Sequence, residues 1–270
     1  MKGKHLFLVL SLIFSIHLST TLSAQDFRAA VVNYMYVPEG MTGSYVDMEK
    51  QMAKPMHEEM IKQGHYDEWY LFAIPFPGGT NAEYHYATVH IYSSLEQMNK
   101  PSWSNQLFAK VHEGKDMDKA TQWVQQSRNL VKSHRLMSWE SFSAEDLEGP
   151  PSLLQIVYFK VPFDKQNAYE KMEREVFHPM HKKEIEMGKR AGWEGWWMQM
   201  PQGSGQAYSH IAVDMYKDWA QYTDFAHRAD LMKTVHPDMN EEKMTEQFVK
   251  TVDMVKMEEW RLVDFAVKQE

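Results

Sequence analysis

Two stretches of this chain decide its architecture: KPMHEEMIKQG, from Lys54 to Gly64, and HPMHKKEIEMG, from His178 to Gly188. They share a Pro-Met-His triplet and a closing glycine, displaced by 124 positions. At the same offset Val37-Pro38 falls on Val161-Pro162, Tyr45 on Tyr169, Met48-Glu49 on Met172-Glu173 and Tyr84 on Tyr208. Val89 and Tyr92 fall on Val213 and Tyr216, and Val111-His112 on Val235-His236. Near the ends a small shift aligns Arg135-Leu136 with Arg261-Leu262. So many matches in one register identify a single unit written twice.

The stretch Ser143 to Ser152, SAEDLEGPPS, has the composition of a linker around Gly149-Pro150-Pro151. It divides the chain into a first repeat, 25–142, and a second, 153–270. Within each repeat the periodicity changes in the same order. Ala29 to Val37 and Leu153 to Val161 are short β-branched and aromatic runs, which predict strands. Tyr45, Met48, Met52, Met56 and Met60 then recur every three or four residues and draw an apolar stripe along a helix, as Tyr169, Met172, Val176 and Met180 do later. Trp69 to Ile74 with Tyr84 to Tyr92 predicts a hairpin, and Trp196 to Met200 with Tyr208 to Tyr216 predicts its counterpart. A long helical region and a final strand, Leu136 to Phe142 or Arg261 to Val267, complete each copy.

The order βαββαβ, twice, places four antiparallel strands under helices on one face of each sheet. The other face also carries apolar groups, as in Tyr84 to Tyr92, so it needs a cover. Packing the two sheets together supplies one, giving an intrachain pseudo-dimer. In element order and duplication the chain resembles the dimeric α+β barrel (ferredoxin-like) superfamily. That resemblance implies an α+β fold of two tandem units packed sheet to sheet.

Residues 1–24 read as a signal peptide: basic Lys2 and Lys4, an apolar run from Leu6 to Ile16, and small residues before Gln25. A periplasmic or secreted location is expected, with no membrane span after cleavage. The chain has no cysteine, so a packed core and not disulfides must hold the exported form. Its net charge is −8, and removing Lys2 and Lys4 makes the remainder more acidic still. An acidic surface of mixed signs gains little from a phosphate backbone, which argues against a nucleic-acid partner.

Pro55 and Pro179 remove one helical hydrogen bond each and should bend the first helix of each repeat. His57 and His181 follow beside the methionine stripe. They either satisfy local hydrogen bonds or look into a cleft that takes a ligand. His236 and the aromatics Trp69 and Trp196 are further candidates to line a pocket for a small, largely apolar or aromatic molecule. The methionines fall at core spacing, and no metal centre is predicted from them. Nothing in the residues names a cofactor.

The segment from Trp103 to His112 resembles the corresponding helix of antibiotic-biosynthesis-type monooxygenases, including the haem-degrading members. By that resemblance Asn33, Trp103 and His112 take the catalytic positions, with His112 as proximal ligand, Trp103 against the macrocycle and Asn33 near an iron-bound ligand. Val157 stands where the second repeat would need the asparagine, so the resemblance implies one such site per chain. The sequence therefore carries three functional expectations: a binder of a small apolar molecule with no defined reaction, a monooxygenase-like or isomerase-like enzyme with or without haem, and a structural protein without a ligand.

Overall fold

Both repeats show the expected element order in a computed structural model that describes residues 27–79, 81–101 and 103–269. The predicted signal peptide, 1–24, lies outside the described residues. The first repeat contributes strands β1 (Ala29–Tyr36), β2 (Glu68–Phe76), β3 (Tyr86–Tyr92) and β4 (Asn129–Ser143). The second contributes β5 (Leu153–Lys160), β6 (Gly192–Met200), β7 (His210–Tyr216) and β8 (Asp253–Val267). Neighbouring strands are antiparallel throughout, and the order β1-β3-β2-β8-β5-β7-β6-β4 closes on itself.

Closure goes further than two sheets lying face to face. The halves are sewn together along two seams, β2 on β8 and β4 on β6, with Glu68 opposite Val267 and Ser143 opposite Gly192. Both final strands are 15 residues long, where the sequence pattern marks only their second halves. The extra length makes the seams possible, and a closed barrel leaves no unpaired edge. This is the dimeric α+β barrel arrangement within one chain.

Strand alternation sorts the side chains. Ala30, Val32 and Tyr34 point into the barrel, while Met35 joins Trp69, Leu71 and Tyr86 under the helices of the first repeat. In the second repeat the helix side is filled by Trp139, Tyr169, Trp193 and Phe159. Each repeat thus has an inner and an outer core on opposite faces of one sheet.

The proline-bearing helices behave alike. In the first repeat α1 (Thr42–Met48) passes through a π-helical turn, Glu49–Ala53, into α2 (Lys54–Lys62), with Pro55 in the first turn of α2. In the second, α6 (Gln166–Met172), the turn Glu173–Phe177 and α7 (His178–Glu186) repeat the pattern with Pro179. The expected bend is a π turn just ahead of each proline, which absorbs the hydrogen bond the ring cannot make. The closing glycines have φ of 71° at Gly64 and 69° at Gly188, a left-handed backbone in which a Cβ is strained. The helices between β3 and β4 are α3 (Leu95–Met98), α4 (Asn105–Val111) and α5 (Met117–Ser127). Those between β7 and β8 are α8 (Trp219–Thr223), α9 (Arg228–Val235) and α10 (Glu241–Thr251). Among the described residues no helix is long and apolar enough to cross a membrane.

Candidate functional site

The barrel is hollow. A cavity of about 660 Å³ takes lining residues from all eight strands, among them Ala30, Phe72, Val89, Leu136, Ile156 and Trp196. An eight-stranded barrel is near the size at which side chains either fill the interior or leave room for one small ligand, and this one leaves room. The cavity runs along the barrel axis, enclosed by the inward faces of the strands.

One end is plugged. Tyr34 packs on Tyr84 and Tyr158 on Tyr208, each pair with ring centroids 4.6 Å apart, and the hydroxyls of Tyr34 and Tyr158 are 3.4 Å apart. Glu258, only 2% exposed, accepts hydrogen bonds from Tyr84 Oη at 2.5 Å, Lys256 Nζ at 2.7 Å, Tyr158 Oη at 2.8 Å and Trp260 Nε1 at 3.0 Å. Burial alone would raise its carboxyl, but the Lys256 ammonium and these donors outweigh it and hold the group below the ordinary carboxylate range. The Lys256 ammonium lies 4.2 Å from the Tyr158 ring centroid, and Lys132 lies 4.6 Å from that of Tyr84. Buried, paired and multiply bonded, the group forms the floor of the cavity.

The opposite end is the mouth. There Arg28 spans both repeats, 3.1 Å from Glu68 and 3.2 Å from Glu194. Tyr70 Oη donates to Glu68 at 2.6 Å, and Trp196 Nε1 donates to Glu194 at 3.0 Å. Burial raises the Glu194 carboxyl, with Arg28 acting against the shift. Leu147, Gly149, Pro150 and Pro151 of the segment joining the repeats also line the opening.

A second constellation lies on the helix side of the first repeat. His57 on α2 is 4% exposed, stacks on Trp69 at 4.6 Å, and shares a 2.5 Å hydrogen bond between Nδ1 and Tyr66 Oη. His90 of β3 and Trp103, ahead of α4, stand 5.1 and 5.2 Å from the His57 ring. Burial, with His90 nearby, pushes His57 well below the ordinary imidazole value, and burial brings His90 down to about 4. Both rings are neutral at neutral pH. The Nδ1 of His90 is sealed from solvent without a partner among the described residues.

Of the residues singled out from sequence, the fold gathers His57, Trp69 and Trp103 in this cluster. His181 stacks on Trp193 at 5.7 Å in the second repeat, and Trp196 faces the barrel cavity instead. Asn33 Oδ1 accepts from Ser133 Oγ at 2.7 Å on the helix side of β1 and β4. The Nε2 of His112 donates to the Met52 carbonyl at 2.9 Å, and that of His236 donates to the Val176 carbonyl at 2.9 Å. These two histidines therefore cap carbonyls within equivalent π turns. A nitrogen bound in this way does not fit the ligation of haem iron by His112.

Several residues of the cavity escaped the sequence reading: Tyr34 with Tyr158, Lys256 with Glu258, and Arg28 with its two carboxylates. The tyrosines share the offset of 124 and could have been found by extending the comparison. Lys256 shares it too, with Lys132, whereas Arg28, Glu68, Glu194 and Glu258 have no charged counterpart at that offset.

No family model and no curated protein matches this sequence. Solved structures do match in fold. A presumed monooxygenase from Fusobacterium nucleatum superposes with a TM-score of 0.55 at 10% identity, over 90% of this chain and 96% of that one. Another from Lactobacillus acidophilus gives 0.54 at 9% identity, over 89% and 96%. An anthrone oxidase-like protein gives 0.49 at 9% identity, over 92% and 96%. At such identities the likeness is one of fold.

Proposed function

We propose that this protein binds one small, largely apolar or aromatic molecule inside the barrel. The observation that carries the reading is the cavity of about 660 Å³ itself, blind at the tyrosine floor, walled by apolar side chains and ringed by charged groups at its mouth. Its size and lining are those of a site for a small organic ligand. The expectation of export belongs to the same reading, and the mass of the N-terminus recovered from a periplasmic or secreted fraction tests it.

Native mass spectrometry of the purified chain, followed by release of bound small molecules, tests the binding. The Ala30→Phe variant, which directs a ring into the cavity, should lose the ligand while retaining cooperative unfolding. Val89→Phe, from another strand, should do the same. Undiminished ligand in both folded variants would sink the reading.

A monooxygenase-like reaction on the helix side is the second reading, supported by the hydrogen bond between neutral His57 and Tyr66 beside Trp103, which is 45% exposed. Asn33 and His112 enter it through the resemblance alone. Oxygen uptake with a dihydroxynaphthalene, lost in His57→Gln and kept in His181→Gln, would favour it.

A further inference from the structure

The charged groups around the mouth say which molecules can enter. Five charged side chains line the cavity: Asp67, Glu68 and Glu194 against Arg28 and Lys268. Acidic groups outnumber basic ones. Arg28 is also no free anion receptor, because its guanidinium already faces carboxylates at 3.1 and 3.2 Å, one from each repeat. At the floor, Lys256 is held 2.7 Å from Glu258. A carboxylate or phosphate brought into the cavity thus meets cations that are already compensated, within a chain of net charge −8.

The hydrogen-bonding capacity at the mouth points the same way. Glu68 accepts from Arg28 and Tyr70, and Glu194 from Arg28 and Trp196. Carboxylate oxygens have two acceptor sites each, so both groups retain room for further donors. Deeper in, the rings of Phe72, Trp196, Tyr158 and Trp260 offer faces on which an aromatic skeleton, or a cation, can pack.

Resting on the reading of the barrel as a binding site, we infer that its ligand is an aromatic or alicyclic molecule with a neutral or cationic hydrogen-bond-donating head, an amine or a hydroxyl. The apolar body lies in the barrel and the head meets Glu68 and Glu194. Carboxylates and phosphates of the same skeleton are excluded.

Equilibrium dialysis of the full-length mature protein with a matched series tests this: 2-naphthylmethylamine, 2-naphthylmethanol and 2-naphthoate. The amine and the alcohol should bind, with the naphthoate about tenfold weaker or more, as expected for an unscreened like-charge contact. In a Glu68→Gln/Glu194→Gln variant with an unchanged unfolding transition, the naphthoate should gain and the amine should lose. Naphthoate binding as tightly as the amine in the parent protein overturns the inference and leaves the cavity reading standing. Should none of the series bind, or all bind equally well to folded Ala30→Phe, the cavity reading itself falls.

Discussion

Where the first repeat stacks His57 on Trp69, the second stacks His181 on Trp193, each 124 residues further on, yet the surroundings of the two imidazoles have diverged. Tyr66 and His90 in the first repeat correspond to Arg190 and Asp214 in the second, and Met60 corresponds to Glu184. The first set is uncharged. In the second, Arg190 pairs with Glu184 at 2.7 Å and with Asp214, while His227 bonds Glu184 at 2.8 Å. Burial works against the Glu184 charge, but His181, Arg190 and His227 hold its carboxyl far below the usual range. One backbone frame thus accommodates a neutral aromatic cluster in one copy and an ionic one in the other. The difference teaches that the offset predicts place, while the chemistry at each place must be read separately.

The largest expected effect lies in the ionic copy. Replacing Arg190 with Met takes the guanidinium from buried Glu184 and half-buried Asp214 and should cost about 3–5 kcal/mol in denaturant unfolding. A loss below about 1 kcal/mol would mean that the two clusters are energetically alike.

The π turns sharpen the contrast through pH. Burial raises the Glu173 carboxyl to about 8, with Tyr169 opposing and Asp214 adding, whereas Glu49, also buried but facing Arg128, rises only to about 7. In the unfolded chain both ionise near 4.5, so the parent protein loses stability as pH rises from there to the folded values. Glu173→Gln removes that slope and should gain at least about 2 kcal/mol relative to the parent between about pH 5 and pH 8. Glu49→Gln should gain less. Equal slopes from thermal unfolding across that range would contradict the assignment.

On the neutral side, Tyr66→Phe removes the partner of His57 Nδ1 and should cost about 1–2 kcal/mol, well short of the Arg190 change. The smallest effect is also the most even. His112→Ala and His236→Ala each release one π-turn carbonyl and should cost about 1 kcal/mol apiece, measured side by side. A much larger functional loss from His112→Ala than from its twin would restore a chemical role to that residue.

How far the sequence reaches follows from these same residues. The duplication was legible because Tyr45 with Glu49, and Tyr169 with Glu173, occupy equivalent structural positions and so kept their identities in register. The early halves of β4 and β8 were not, since residues 253–260 place Lys256, Glu258 and Trp260 on the barrel side and leave Met254, Val255 and Met257 exposed. Polar groups inside and apolar groups outside invert the pattern by which a strand is recognised. The cavity was hidden for a related reason. Its walls read as ordinary core, and only closure across the two seams shows that they enclose space. Trp196 was a candidate ligand contact, but its place inside the barrel depends on strand parity, and Trp193, not Trp196, is the counterpart of Trp69.

The seam between β2 and β8 also governs the order of assembly. Glu68 waits for Val267, so the chain through β8 must leave the ribosome before the β2 edge can be covered. Until then a nascent first repeat presents an open ladder to its neighbours, the condition under which chains associate wrongly. A premature stop anywhere before β8 accordingly yields a sticky fragment and not a functional half.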